Sequence, residues 1–301
     1  MTILRVGLLQ TRTGIDPVEN ARGLTAGIAD LAAQGAQIVF TPEMSGLLDR
    51  DRARAAPLVR HEADDIVLAA VRASAREYRI WVELGSLALR PDDGDGRLVN
   101  RGFLIDPAGE IVARYDKLHL FDVDLANGDS YRESNAYAPG DRAVVAPTPW
   151  GSIGLSVCYD VRFPPLYAAL AQSGAAVIAV PAAFTRPTGE AHWHVLLRAR
   201  AIETGAFVVA AAQSGVHADG RETYGHSLVV DPWGKVLLDM GTEPGGAVVD
   251  LDLSRVAATR ARIPSLRAGR PFTIDALTAP GRLPSQPVDA PVAQPDRATV
   301  S

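Results

Sequence analysis

The stretch GFLIDPAGEIVARYD at residues 102–116 recurs in altered form as HSLVVDPWGKVLLDM at 226–240. Both have apolar runs on either side of Asp-Pro-x-Gly, a pattern typical of a β-hairpin. Three earlier segments are echoed in the same order: RVGLLQ (5–10) by SIGLSVC (152–158), AAQGAQIVFTPE (32–43) by AQSGAAVIAVPA (171–182), and RIWVELGSLAL (79–89) by AFVVAAAQSGV (206–216). Four echoes in one order predict a duplicated structural unit.

Amphipathic segments separate the apolar runs. The first, 17–34, has apolar residues at helical spacing, with Asp16 as N-cap, Pro17 in the first turn, Glu19 completing a capping box and Gly35 at the end. Further helices are predicted at 62–78, about 163–173 and about 189–204. Each half then has a sheet with helices on one face, and two such sheets can pack together. The sequence therefore predicts an α/β fold, a four-layer αββα sandwich built from two pseudo-symmetric halves.

Composition limits the classes of partner. The apolar content of 47% is ordinary for a globular enzyme, and the net charge of −5 argues against a nucleic-acid-binding protein. No apolar stretch has the length of a membrane span, and the single cysteine fits a reducing compartment. We expect a cytoplasmic protein without nucleic-acid or membrane partners. We also expect one domain at 1–278 and, because 279–301 contains five prolines, a disordered tail.

Three chemically useful residues each follow a predicted strand: Glu43, Lys117 and Cys158. Ligands of open α/β sheets bind outside the carboxyl ends of the strands, and the internal echo places Glu43 and Cys158 near one pseudo-twofold axis. An acid, a lysine and a thiol supply a base, an oxyanion partner and a nucleophile for acyl transfer. Taken singly, they can also be a loop acid, a solvated strand end and a small buried hydrophobe.

The lysines are few. Of 30 basic residues only Lys117 and Lys235 are lysine, which indicates that arginine replaces lysine wherever charge alone suffices. Lys235 lies in the turn DPWGK, whereas Lys117 lies in ARYDKLHLFD beside the candidate site. Lys117 is therefore interpreted as a position where the compact ammonium is needed.

Several segments together resemble those of a known family. TPEM (41–44), YDKLHLFD (115–122), YRES (131–134) and GLSVCYDVRFP (154–164) resemble signature segments of the nitrilase superfamily of carbon–nitrogen hydrolases. AHWHVLLRARAIE (191–203) and YGHSLVVDPWG (224–234) resemble the omega-amidase and deaminated-glutathione-amidase branch. The resemblance implies an αββα fold, a Glu-Lys-Cys triad, no metal or other cofactor, and a homodimer or larger homo-oligomer.

The resemblance also implies roles for single residues. Glu43 corresponds to the general base, Cys158 to the nucleophile, and Lys117 to the oxyanion stabiliser that is also described as proton donor. Glu133 in YRES matches a second glutamate that positions the lysine and the substrate. A helix start after Cys158, with Lys117 nearby, is expected to favour the thiolate.

Substrate contacts are predicted at the backbone N–H of Tyr159 and at His192 and Trp193. Two departures from the branch bear on specificity. His194 stands where many members of the branch have glutamate, and 122–133 is a variable lid. Asp160 and Arg162, beside the cysteine, are interpreted as bracing the turn.

Two apparent metal motifs fail on geometry. Asp122, Asp124 and Glu133 have the spacing of calcium-loop ligands, but the glycine that such a loop needs is missing. His192 and His194 are two apart on a predicted helix, hence on different faces. No metal site is predicted.

The predicted activity is that of a thiol amidohydrolase. It would cleave a small linear carboxamide to the acid and ammonia through a cysteine thioester. Candidate substrates are the omega-amide of a dicarboxylic or 2-oxo acid, or deaminated glutathione. A nitrile or N-carbamoyl-amine hydrolase with the same triad, or a catalytically silent scaffold, are the alternatives.

Overall fold

Two six-stranded sheets lie face to face in the computed structural model, which describes residues 2–125, 128 and 130–273. The strands in chain order are β1 (Ile3–Gln10), β2 (Ile38–Phe40), β3 (Trp81–Leu89), β4 (Val99–Ile105), β5 (Ile111–Asp116), β6 (Asp122–Asp124), β7 (Ser130–Arg132), β8 (Val144–Thr148), β9 (Gly151–Leu155), β10 (Ala175–Ala179), β11 (Phe207–Ala210), β12 (Ser214–Val216), β13 (Glu222–Tyr224), β14 (Leu228–Val230), β15 (Val236–Asp239) and β16 (Gly245–Asp252). The helices are α1 (Pro17–Ala33), α2 (Arg52–Ala55), α3 (Ile66–Tyr78), α4 (Pro164–Gln172), α5 (Arg186–Thr204) and α6 (Ser254–Arg262). Short 3₁₀ turns lie at Glu62–Asp64, Glu133–Asn135 and Cys158–Arg162.

The two sheets have the same pattern of strand directions, although the edge strand beside β1 comes from the end of the chain and the one beside β9 directly precedes it. The first has the order β16-β1-β2-β3-β4-β5, and the second has the order β8-β9-β10-β11-β14-β15. Each sheet has three parallel strands at its centre, β1-β2-β3 in the first and β9-β10-β11 in the second. One antiparallel strand, β16 or β8, lies on one side of them, and an antiparallel hairpin, β4–β5 or β14–β15, lies on the other. The echoed segments occupy equivalent strands, so the predicted duplication is confirmed.

Alternation along the strands explains the layers. In β1, Leu4, Val6 and Leu8 belong to the core between the sheets, whereas Leu9 packs with the apolar stripes of α1 and α3. Helices α4 and α5 pack against the outer face of the second sheet. The predicted four-layer αββα sandwich is therefore confirmed.

The helix ends follow the sequence signals with two exceptions. Asp16 caps α1 by accepting the Val18 N–H at 2.9 Å, and Gly35 leaves the helix at φ 82°. Glu19 does not complete the predicted capping box, because its carboxylate pairs with Arg22. The helix predicted at 62–78 is divided, since Asp65 caps a new helix at its Leu68 N–H.

The two Asp-Pro-x-Gly turns are equivalent in detail. Asp106 accepts the N–H groups of Ala108 and Glu110 in the β4–β5 hairpin. Asp231 accepts those of Trp233 and Lys235 in the β14–β15 hairpin. The aspartate fixes each turn through its own loop amides, which is the Asx-turn role of this residue.

The chain divides into two units, 1–268 and 269–301. In the second, the described residues 269–273 are exposed and lie outside helix and strand. The tail predicted at 279–301 lies outside the described residues, so its boundary and its disorder stay predictions. Among the described helices, none combines the length and apolarity required to cross a bilayer.

Candidate active site

The ends of β2, β5 and β9 bring three side chains together. Glu43 lies three residues after β2, Lys117 follows β5 directly, and Cys158 opens the 3₁₀ turn after β9. Lys117 Nζ is 2.9 Å from Glu43 Oε1, and the Cys158 thiol lies close enough to the Glu43 carboxylate for each group to shift the pKa of the other. All three residues are less than one-tenth exposed. The structure thus places these three predicted residues in one buried cluster.

Glu43 is held at both carboxylate oxygens. Its Oε1 accepts Asn100 Nδ2 at 2.9 Å in addition to the lysine, and its Oε2 accepts the Ala183 N–H at 2.8 Å. Burial raises the pKa of Glu43, but the Lys117 charge and hydrogen bonds from Cys158, Lys117 and Asn100 outweigh it, so the pKa lies below its usual range. The lowered pKa favours an ionised Glu43 carboxylate beside the Cys158 thiol.

Lys117 lies between two carboxylates. Glu133, the second predicted glutamate, accepts the Nζ at 2.9 Å and 3.1 Å, and it also accepts the backbone N–H of Phe121. Burial lowers the pKa of Lys117, but the charges of Glu133 and Glu43 outweigh it and the pKa lies well above its ordinary value. The residue is therefore an ammonium fixed in position within the protein interior.

Cys158 has an unusual backbone. Its φ of 52° is in the left-handed region, where a non-glycine residue is uncommon, and its N–H donates to the Pro181 carbonyl at 2.8 Å. Burial, followed by the charge of Glu43, raises the pKa of Cys158 well above its ordinary value despite the opposing effect of Lys117. This direction opposes the expected resting thiolate and favours a thiol that keeps its proton, because burial and the adjacent carboxylate both disfavour a second negative charge.

Asp160 braces the turn that carries the cysteine, as predicted. Its buried carboxylate accepts Tyr115 OH at 2.6 Å, the Val157 N–H at 2.8 Å and the His119 N–H at 3.0 Å. These bonds tie β5 and the segment after it to the turn at Cys158.

Arg162 has different contacts. Its guanidinium lies 3.3 Å from the Nδ1 atom of His192 and within 6 Å of the ring centres of Tyr159 and Phe184. Within the described part of the chain, no carboxylate forms an ion pair with it. The Arg162 cation, four residues after the cysteine, therefore has no carboxylate counter-ion in the described part of the chain.

The three predicted substrate contacts lie in different environments. Tyr159 is the second residue of the 3₁₀ turn, a position whose backbone N–H has no partner within the turn. His192 is exposed beside Arg162. Trp193 is fully buried, packs on Phe184 and donates its indole N–H to a backbone carbonyl. This position favours a packing role for Trp193 over the predicted substrate contact.

The predicted lid at 122–133 contains the two-stranded sheet β6–β7. Its residues 126, 127 and 129 lie outside the described residues. Phe121, just before the lid, has its ring centre 5.1 Å from those of both Tyr131 and Tyr159. Aromatic contacts therefore connect the lid to the turn of the cysteine.

Asn100 is a residue of the site that was not predicted from the sequence. It lies on β4, and its Nδ2 donates to both Glu43 Oε1 and Glu133 Oε1, at 2.9 Å and 3.3 Å. Its Oδ1 is buried and has no hydrogen-bond partner among the described residues. The only available signal was a lone amide within the apolar run at 98–105. Elsewhere in the described chain, His194, His226 and Asp239 each place one possible metal-ligand atom within 4.8 Å of the others.

Comparison with known proteins places this geometry in a family. The family model of carbon–nitrogen hydrolases matches residues 5–261. Deaminated glutathione amidase of Yersinia enterocolitica is 40% identical over 266 residues, which cover 88% of this chain and 92% of that protein. The chain belongs to the carbon–nitrogen hydrolase family, within the nitrilase superfamily. More particularly, it is a hydrolase that acts on carbon–nitrogen bonds other than peptide bonds.

Two solved structures are similar over most of the chain. The NitFhit protein of C. elegans has a TM-score of 0.82 at 34% identity, and the match covers 89% of this chain and 65% of that one. An amidase from Nesterenkonia sp. AN1 was solved as a Glu-to-Gln mutant with acrylamide added at its active-site cysteine. It has a TM-score of 0.71 at 30% identity, with 87% of this chain and 98% of that chain covered.

Proposed function

We propose that this protein is a thiol amidohydrolase in which Cys158 is the nucleophile, Glu43 the general base, Lys117 the oxyanion stabiliser and Glu133 the residue that positions the lysine. The observation that carries the proposal is the buried cluster in which the Glu43 carboxylate binds the Lys117 ammonium at 2.9 Å and interacts with the Cys158 thiol. The named relatives support an amide as the substrate.

The first half of the reaction forms a thioester. As the Cys158 sulfur attacks the amide carbon, its proton passes to Glu43, so no free thiolate accumulates. The oxygen of the tetrahedral intermediate takes up negative charge beside the Lys117 ammonium and the Tyr159 N–H. The carbon–nitrogen bond then breaks, and the proton on Glu43 moves to the departing nitrogen. A primary amide releases ammonia, and deaminated glutathione releases the amine of its dipeptide.

The second half returns the enzyme to its starting state. Glu43, again a carboxylate, takes a proton from water as the water oxygen attacks the thioester carbon. When the carbon–sulfur bond breaks, that proton returns to the sulfur and the carboxylic acid leaves. Splitting amide hydrolysis in this way replaces one difficult step by two easier ones.

We propose an amide that carries a carboxylate, namely an omega-amide of a dicarboxylic or 2-oxo acid or deaminated glutathione. Arg162 supports this class, because its guanidinium is close to the nucleophile in sequence and lacks a carboxylate partner among the described residues. Guanidinium and carboxylate form charge-assisted, often bidentate hydrogen bonds. Such a contact selects charged over uncharged amides.

Arg162→Gln tests the substrate class. We expect KM for alpha-ketoglutaramate to rise by about 10- to 100-fold, since a hydrogen bond to a charged group contributes roughly 1.5–3 kcal/mol. Hydrolysis of butyramide, which has no carboxylate, should change little. The control is Arg142→Gln, because Arg142 is a highly exposed arginine far along the chain from the turn.

Steady-state kinetics of both variants on both amides test whether Arg162 binds the carboxylate of the substrate. An equal loss on both substrates would assign Arg162 to the structure of the turn and contradict the carboxylate contact. Failure of the unmodified enzyme to hydrolyse any amide, together with turnover of nitriles or N-carbamoyl amines, would contradict the amidase itself.

We further propose that the protein works in the cytoplasm as a homo-oligomer. Val195 and Ile202 are seven residues apart on α5 and both more than half exposed, as is Trp233. Exposed apolar residues grouped in this way are typical of a contact surface. Light scattering should give a multiple of the chain mass that Val195→Glu lowers, and a monomeric mass for the unmodified protein would contradict the proposal.

A further inference from the structure

Three metal-ligating side chains converge on the second half of the fold, and the catalytic scheme uses none of them. His194 lies in the middle of α5, His226 lies two residues before β14, and Asp239 is the last residue of β15. The Nε2 atom of His194 is 2.9 Å from Asp239 Oδ2, and the Nδ1 atom of His226 is 2.8 Å from Oδ1. One ligand atom from each residue lies within 4.8 Å of those of the other two.

We propose that His194, His226 and Asp239 bind one divalent first-row transition cation, with zinc as the best match. Two imidazole nitrogens and one carboxylate oxygen are a donor set for zinc, whereas calcium and magnesium prefer oxygen ligands throughout. A fourth position is left for water.

The two nitrogen–oxygen distances need only a small adjustment, while the ligand atoms as a set, which lie within 4.8 Å of one another, have to close around the ion. In a tetrahedral zinc site with bonds of about 2.0–2.1 Å, neighbouring ligand atoms are about 3.3 Å apart. The two nitrogen–oxygen distances in the cluster are 2.8 Å and 2.9 Å, so each ring has to withdraw by about half an ångström. Each ring N–H bond to the carboxylate is then exchanged for a nitrogen–metal bond. The displaced proton moves to the other ring nitrogen or to solvent, and no redox change is involved.

Neighbouring groups hold the histidines in place. The Tyr224 ring stacks on His226 at 4.4 Å between centres and meets the edge of His194 at 6.1 Å. His226 has a φ of 54°, and its N–H donates to the Gly241 carbonyl at 2.6 Å. A ligand set that is already ordered loses little conformational entropy when the ion binds.

The cluster is open to ions in solution. The side chains of His194 and Asp239 are 33% exposed and that of His226 is 22% exposed. The Gly241 N–H donates to Asp239 Oδ1 at 3.0 Å, which orients the carboxylate without covering it. An ion bound here would link α5 to the β14–β15 hairpin and so stabilise the folded chain.

Zinc titration of the metal-stripped protein tests the proposal. Because a free thiol also binds zinc, Cys158→Ala is titrated beside the unmodified protein. We expect one zinc ion per chain in Cys158→Ala, an increase in the temperature of unfolding, and, with Co²⁺ in place of zinc, visible absorption of a four-coordinate nitrogen and oxygen site.

Three ligand variants are made in the Cys158→Ala background: His194→Gln, Asp239→Asn and His226→Asn, the last because asparagine tolerates the left-handed backbone. Each should weaken zinc binding by at least about tenfold, since even outer residues of metal sites contribute 10- to 100-fold. His61→Gln is the matched control, because His61 contacts Asp92 at 3.3 Å and the described residues offer no third ligand there. No zinc binding in Cys158→Ala, or equal affinity in all four variants, would overturn the proposal. Circular dichroism of every variant excludes unfolding as the cause.

Discussion

Lys117 is one of two lysines in the chain, and its ammonium lies between the carboxylates of Glu43 and Glu133 at 2.9 Å from each. Asn100 Nδ2 donates to the same two carboxylates. Four polar side chains therefore fill a small buried volume. A branched, planar cation has little room there.

Lys117→Arg should lower kcat by about 10²- to 10³-fold although the charge is kept, because the guanidinium is larger and its donors point in fixed directions. Lys235→Arg, at an exposed turn position, should leave kcat unchanged. Kinetics of both variants, with circular dichroism to confirm folding, check the expectation. A near-native kcat for Lys117→Arg would show that charge alone is needed at this position.

The sequence predicts which side chains meet in the site but not which of them carry a proton. The motif around Cys158 predicts a thiol near Glu43 and Lys117, and the structure brings them together. The proton on Cys158 depends on burial and on the side from which Glu43 approaches, and neither can be read from spacing. The contribution of Asn100 could not be predicted either, because only the packing of β4 against the loop after β5 brings it to Lys117.

Glu83 places a carboxyl group inside the buried strand β3. Its strand partners are Phe40 and Leu104, both buried in the core between the sheets. Its Oε2 has no hydrogen-bond partner among the described residues, and burial raises the pKa of Glu83 well above its ordinary value. We therefore expect this carboxyl to hold its proton to higher pH in the folded chain than in the unfolded chain.

This shift makes stability depend on pH. Between the unfolded pKa of about 4.3 and the raised folded pKa, the folded state binds more protons, so stability falls as pH rises, by up to about 1.4 kcal/mol per pH unit. Glu83→Gln has no titratable group at this position and so lacks this pH dependence. Above the unfolded pKa of about 4.3, the free energy of unfolding of the variant, measured relative to that of the unmodified protein, should therefore increase steadily with pH. Denaturant unfolding at several pH values measures the difference.

Glu243→Gln is the control, because Glu243 is exposed and should show no such trend. A constant difference in the free energy of unfolding between Glu83→Gln and the unmodified protein would contradict a buried, neutral carboxyl at Glu83.

Local pattern explains which elements could be predicted. The buried apolar face of α1 depends only on residues within the helix, and the two hairpin turns depend only on Asp106 and Asp231 and their neighbours. These predictions are confirmed. The strand β16 was not predicted, since it is stabilised by pairing with β1 from the other end of the chain, from Ile3↔Asp252 to Gln10↔Gly245. Pairing over such a separation leaves only a weak local signal.

For the whole molecule, the internal repeat of the sequence is the feature that best predicts the fold and the position of the active site. Because the echoed strands have the same order in both sheets, matching strand ends meet where the two sheets face each other, and Glu43 and Cys158 follow such ends. Bonds from one half to the other reinforce the contact, for example Ala183 N–H to Glu43 and Gln213 Nε2 to the Glu43 carbonyl. The site is therefore a consequence of the duplication.

The central claim is that hydrolysis proceeds through an acyl group on Cys158. Rapid-quench mass spectrometry during turnover of alpha-ketoglutaramate tests it directly, with Cys158→Ala as the control and hydroxylamine as a competing nucleophile. We expect an added acyl mass on the peptide that contains Cys158 and a hydroxamate beside the acid, and we expect Cys158→Ala to lose both together with turnover. Turnover without any adduct on Cys158, or substantial activity in the folded Cys158→Ala variant, would contradict it.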